Sequence, residues 1–213
     1  MKQFQKDRLR RLLFPIRGLE EGDGCRFKRQ PRITIHPQAR IVLSAGVVLN
    51  SDPRGYHTGM AFPVTLIADR PNAEILIGSN SRLHGCCIHA WSNIHLGKNC
   101  LLAAGSQILD ANGHASDLRL ARLRSKLQDD PKPITIGDYC WLGIGVLILK
   151  GVVLGEGCLV AAYSVVGEGN YPPFSLIAGA PARVIKTIDA EDVLPEETSY
   201  ETLKSNGVIP YQY

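Results

Sequence analysis

The chain has 213 residues, with 24 Lys and Arg against 20 Asp and Glu for a net charge of +4, and its mean hydropathy is near zero. A charged fraction of 21% and an apolar run no longer than Trp141 to Leu149 exclude a mainly disordered chain and a membrane-spanning helix. The length suits one domain that buries a substantial core without disulfides or metal.

The N-terminal stretch MKQFQKDRLRRLLFPIRG lacks the apolar segment of a secretory leader, which predicts a cytoplasmic protein whose six cysteines are thiols. Charge is unevenly spread. Residues 1–40 hold eleven Lys or Arg against four acids, and the chain after Lys186 holds six acids against one Lys. Residues 1–32 therefore read as a basic N-terminal arm and residues 187–213 as an acidic, partly helical tail. The arm suits phosphate, an anionic glycan or a membrane surface, or it is a solvated face complementary to the tail. No aromatic residues interleave with the basic ones, so no nucleic-acid partner is expected.

Between these ends the chain keeps a period of six. Counting from Ile35 gives Ile41 and Val47; from Leu96, Leu102 and Ile108; from Ile136, Leu142, Ile148, Leu154, Val160 and Val166. Four residues after such anchors stand small or β-branched side chains, among them Ala39, Ala45, Ser51, Ser106, Val146, Val152 and Ser164. Cys87, Cys100, Cys140 and Cys158 share that position, so they read as buried thiols and not as a metal cluster. A six-residue beat fits neither an α-helix nor a hairpin sheet. It fits a short strand and a corner repeated three times per turn: an all-β, left-handed parallel β-helix over residues 33–186. Glycine after the anchor, at Gly78, Gly97, Gly137, Gly143 and Gly155, suits a permissive or closely approached corner.

Two segments interrupt the beat and are predicted to leave the prism as loops, residues 51–72 and 113–133. At the mouth of the second, where the count from Ile108 requires an aliphatic anchor, stands His114. An imidazole at a coil-to-loop junction reads as a general base, with Asp110 or backbone carbonyls setting its tautomer, against the plainer role of capping a strand. His84, His89 and His95 have spacings that could suit zinc, although exposed corner residues are the simpler reading. No metal is expected.

The stretch ITIGDYCWLGIGVLILKGVVLGEGCLVAAYSVV, followed by LIAGAPARVIK, resembles the hexapeptide-repeat acyltransferases. It is similar to the maltose and galactoside O-acetyltransferases and to enzymes that acetylate surface polysaccharides. The resemblance implies acetyl-CoA as co-substrate, a homotrimer with its active site between subunits, and a hydroxylated, sugar-like acceptor. It further implies His114 as the catalytic base and Ile144, beyond Trp141 and Gly143, as the backbone N–H facing the thioester. It implies Ala162 against the pantetheine arm, and Ala180, Pro181, Arg183 and Lys186 around the nucleotide end. Two departures stand out: VVGEGNYPP puts Glu168 near that end, and His84 occupies the region where the sugar acetyltransferases have an acceptor-binding asparagine. The alternatives are a zinc enzyme like the γ-carbonic anhydrases, which shares the coil, and a β-helix scaffold without catalysis.

Overall fold

The computed structural model describes residues 16–208. Residues 1–15 of the expected basic arm and 209–213 of the expected acidic tail lie outside the described residues.

The first coil is β1 (Leu19–Glu21), β2 (Arg26–Lys28) and β3 (Arg32–Ile35), and the second is β4 (Arg40–Leu43), β5 (Val48–Asn50) and β6 (Thr65–Ala68). The third holds β7 (Glu74–Ile77), β8 (Arg82–His84) and β9 (Cys87–Ala90); the fourth holds β10 (Asn93–Leu96), β11 (Leu101–Leu102) and β12 (Gln107–Leu109). The fifth is β13 (Ile134–Ile136), β14 (Trp141–Leu142) and β15 (Leu147–Ile148), and the sixth is β16 (Val152–Leu154), β17 (Leu159–Val160) and β18 (Val165–Val166). In the seventh, β19 (Gly169–Tyr171) and β20 (Ser175–Gly179) continue the coil, and β21 (Ala182–Thr187) folds back antiparallel on β20. Every third strand pairs in parallel, giving sheets of seven, eight and six strands. We call them walls A, B and C, begun by β1, β2 and β3. The chain is thus a left-handed parallel β-helix, and each coil meets mainly the one above and the one below.

The beat of six marks the core. Ile136, Leu142, Ile148, Leu154, Val160 and Val166 are all buried, as are Leu102 and Ile108. The count from Ile35 falls two residues out of phase. In register, the anchors of the second coil are Leu43, opposite Ile77, and Leu49, opposite Leu83. Ile41 and Val47 fill the second inward column, and Ala45 is exposed. Both columns are aliphatic there, so the period alone does not separate them.

Three further expectations are corrected. The coil begins at Leu19, not residue 33, because its first turn shows charged residues outward and buries only Phe27 among the residues of β1 to β3; such a capping turn has no aliphatic rhythm to count. Thr65–Ala68, expected within a loop, is a strand of wall C paired with β3 and β9. Cys86, not Cys87, points inward, because the corner at Gly85 is one residue shorter than its neighbours. Cys100, Cys140 and Cys158 form the expected ladder of buried thiols, each Sγ 3.2 Å from a carbonyl of the next coil, at Gly137, Gly155 and Pro172.

The glycine after the anchor serves close approach alone. A methyl on Gly97 would lie 2.6 Å from the Asp138 backbone nitrogen, and one on Gly137 would lie 2.7 Å from that of Glu156. The left-handed backbone falls two residues later, at Asn80, Asn99 and Tyr139.

Beyond β21 the tail turns back along wall B. Ile188, Val193, Leu194 and Pro195 face Leu159 and Leu176 across a cleft of about 680 Å³. Glu196 accepts a hydrogen bond from the Tyr139 hydroxyl. A short helix, α1 (Tyr200–Ser205), capped by Ser199, ends the described residues. No helix among them is long and apolar enough to cross a membrane.

Candidate active site

The edge between walls B and C gathers most of the predicted donor-binding residues. Its successive levels are Ala103 to Gly105, Gly143 to Gly145, Ala161 to Tyr163, and Ala178 to Ala180, with Pro181 following. Gly145 N–H donates to the Ala104 carbonyl at 3.1 Å, Tyr163 N–H to the Ile144 carbonyl at 2.8 Å, and Gly179 N–H to Ser164 Oγ at 3.2 Å. The strand registers align Ala104, Ile144, Ala162 and Gly179 along the prism axis, one coil apart at about 4.8 Å per step, with Ala180 one residue beyond Gly179. Close approach explains Gly143: a methyl there would lie 2.7 Å from the Ala162 nitrogen.

Among the described residues the N–H groups of Ile144 and Ala162 donate to no protein acceptor. One level earlier, the equivalent N–H of Ala104 is taken by the Tyr56 hydroxyl oxygen at 3.4 Å. Loop 51–64 therefore covers the edge at Ala104 and ends an open column of donors. Trp141, half exposed, flanks the column on wall B. Arg183 and Lys186 lie on β21, opposite Ala178 and Leu176, and Lys186 also lines the cleft under the tail. Glu168 lies elsewhere: its carboxylate pairs with Lys132 at 2.7 Å, beside Gly151 at the edge between walls C and A.

His114 stands on the loop leaving that C–A edge after β12, with its side chain exposed and without a hydrogen bond among the described residues. Its backbone neighbours are held from both sides. Asn112 N–H donates to Asp129 Oδ2 at 2.8 Å, Ala115 N–H donates to the Leu127 carbonyl at 3.2 Å, and the Ala115 carbonyl accepts from Arg124 Nε at 2.9 Å. Two 3₁₀ turns, Leu118–Leu120 and Arg124–Lys126, shape the far side of the loop. Wall C separates this loop's root from the B–C edge. With about 3.3 Å per residue, the five steps from Gly105 to Asp110 put the two edges roughly 16 Å apart.

Asp110 does not meet His114. It is fully buried, and its oxygens accept from the Trp91 and Ser92 N–H groups at 2.7 Å each and from Ser92 Oγ at 2.9 Å. The carboxylate pins one coil to the next, so the expected tautomer-setting contact is absent.

The three histidines with zinc-like spacing face outward from three different walls. His84 Nδ1 meets Asn50 Nδ2 on wall B at 3.1 Å, His89 meets Asp69 on wall C at 3.1 Å, and His95 meets Glu74 on wall A at 3.3 Å. Trp91, its ring under the Arg70 guanidinium at 4.3 Å, donates to His89 Nε2. Sequence reasoning missed Tyr56, stacked on His84 at 4.9 Å between ring centroids. The aromatic pair in loop 51–64, Tyr56 and His57, was the available signal.

Burial lowers the His84 pKa to about 4, with Arg82, Lys28 and His57 adding to the effect. The ring is therefore neutral at pH 7, with one nitrogen donating and the other accepting. Because the folded value lies below the ordinary 6.5, the unfolded chain binds more protons between these limits. Stability is then full above pH 6.5 and is lost as the pH falls toward 4. Urea melts at pH 7 and pH 5 are expected to show a smaller loss for His84→Asn than for the native chain; equal losses would overturn this assignment.

Residues 133–168 match the family described as bacterial transferase hexapeptide (six repeats). A protein of Staphylococcus aureus (strain Mu50), provisionally named an acetyltransferase, is 32% identical over 132 residues, covering 57% of this chain and 65% of the relative. Among solved structures, galactoside acetyltransferase in complex with coenzyme A is 30% identical, with a TM-score of 0.50 over 59% of this chain and 61% of that one. A mutant N-acyltransferase from Bacillus cereus, in complex with dTDP and coenzyme A, has a TM-score of 0.64 over 87% of this chain and 91% of its own; at 16% identity it supports the fold alone. The chain spans 32%, 43% and 65% of the length of three curated relatives that it matches. The repeat at 133–168 and the coil around it make this a hexapeptide-repeat β-helix, similar to the acetyltransferases built on the same coil.

Proposed function

We propose that the chain transfers an acetyl group from acetyl-CoA to a hydroxyl of a sugar or glycan, with His114 as general base and no covalent enzyme intermediate. The observation that carries this reading is the open column of backbone donors at Ile144 and Ala162, ended by Tyr56.

Acetyl-CoA supplies the activated acyl group. The small side chains of Gly143, Ala162 and Ala180 leave room for an extended arm along the B–C edge, and Arg183 and Lys186 offer cations for phosphate at its far end. Ile144 N–H lies nearest the covered end, where it can stabilise charge developing on the acyl oxygen. His114 removes the acceptor's proton as that oxygen attacks, and returns it to the leaving sulfur. Base and donor column belong to different edges of one prism. The loop of one copy facing the B–C edge of another brings them together, which favours the homotrimer.

The test is thiol release from acetyl-CoA across a panel of glycosides and amino sugars. At least one hydroxyl acceptor is expected to raise release about tenfold or more over water, with retention of the protein on a coenzyme A resin. No stimulation and no retention would leave the scaffold reading standing instead.

A further inference from the structure

The second loop carries its own fastening, which no period in the sequence marks. Its return segment brings Asp129 against Lys150, just beyond β15 on the following coil. Asp129 Oδ2 lies 2.6 Å from Lys150 Nζ, with only 5% and 16% of the two side chains exposed. Lys150 Nζ also donates to the Asp130 carbonyl at 3.0 Å. The same carboxylate oxygen accepts from the N–H of Asn112, two residues before His114. Below this point Lys132 N–H donates to the Asp110 carbonyl at 2.9 Å, and Gly151 N–H donates to the Lys132 carbonyl at 3.2 Å. The outgoing and returning strands of the loop are thus tied both to each other and to the fifth coil.

We infer that the Lys150–Asp129 ion pair is a positioning clamp for His114: it sets where the imidazole stands relative to a coil the histidine does not touch. The inference rests on His114 being the base. Three features separate it from an ordinary surface pair. The pair is shielded, so its attraction is little screened and its partners are costly to leave alone. It joins loop to wall, so it fixes the loop's placement as well as its local shape. It acts through Asn112, so a shift of the carboxylate is passed to the backbone beside His114. Burial pushes the Asp129 carboxyl up, but Lys150 and the Asn112 and Asp130 N–H groups outweigh it and hold the group below the usual carboxylate range. The clamp is therefore closed at neutral pH. A misplacement of about 1 Å in a catalytic group can lower turnover by a hundredfold, and loosening one of two supports should cost part of that.

The experiment compares the native 213-residue chain with His114→Ala, Lys150→Met, Lys150→Arg and Asp129→Asn. The probes are acetyl-CoA with methyl α-D-galactopyranoside and with water, and the second readout is limited trypsin digestion at Arg119, Arg122, Arg124 and Lys126 of the loop. Lys150→Met is expected to lower kcat about tenfold or more, leave KM for acetyl-CoA within about twofold, and speed cleavage within the loop. Lys150→Arg is expected to restore kcat to within about threefold of native. Should Lys150→Met fail to fold, the nearly isosteric Asp129→Asn makes the same test. Native kcat and native cleavage rates in Lys150→Met or Asp129→Asn, beside a dead His114→Ala, would overturn the clamp while leaving the base in place. Full turnover in His114→Ala would overturn the base itself, and the clamp as stated with it.

Discussion

Replacing His114 by Ala is expected to lower turnover by about 10²- to 10⁴-fold while binding of acetyl-CoA stays near its native value. A positioned general base contributes about that factor, equivalent to roughly 3–6 kcal/mol of barrier at about 1.4 kcal/mol per tenfold. The separation of effects follows from the architecture. The donor column of Ile144 and Ala162 lies on the B–C edge, and His114 stands on a loop rooted at the C–A edge. Removing an exposed imidazole leaves every wall hydrogen bond intact, so the coil should melt at its usual temperature. Steady-state kinetics, calorimetric titration with coenzyme A and a thermal melt check the three parts separately. A variant that turns over normally would end the base assignment. One that loses coenzyme A binding in step with kcat would move the histidine from chemistry to recognition.

Asp110→Ala should behave in the opposite way. This carboxylate is fully buried and accepts three hydrogen bonds from the preceding coil, two of them from the backbone N–H groups of the half-buried Trp91 and Ser92. Removing it leaves those donors unpaired, at roughly 1–3 kcal/mol each, and opens space in the coil. A total of about 3–5 kcal/mol is expected, which for a chain of this size lowers the melting temperature by roughly 6–20 °C. Among molecules still folded at low temperature, kcat should change far less than in His114→Ala, because no bond joins the two side chains. An unchanged melt would contradict the pinning role. A native melt with a hundredfold loss of turnover would return Asp110 to the catalytic machinery.

These two neighbours show how far the sequence could be read. The run from Ile136 to Val166 was legible because every sixth residue meets the same environment, so one packing constraint is written six times over. The first coil was not, since a capping turn buries little and its strands show Arg, Lys and Glu to water. Thr65–Ala68 was hidden by the Pro and Gly residues before it, which signal a loop without saying where it ends. The B–C edge was reachable only through family resemblance, because small residues at a corner announce close approach and not what approaches. Asp110 looked like a partner for His114 because they are four residues apart. In the coil its true partners are 18 and 19 residues away, one level down, where local sequence cannot see them. The Lys150–Asp129 pair was equally invisible, joining a charged loop to a corner of the next coil.

Stacking each turn only on its immediate neighbours also shapes how the molecule comes apart. Fraying should start at the tips and run inward like a zipper, later at the C-terminal end, where Glu196 of the tail bonds back to Tyr139 and Asn99 on earlier coils. The turns bearing Ala104, Ile144 and Ala162 lie in the middle, flanked by at least one turn on each side. Amide protons bonded within the walls of these turns should exchange with deuterium last, while the unpaired N–H groups of Ile144 and Ala162 exchange early, so the frame under the reactive surface outlasts fluctuations that already dissolve the extremities.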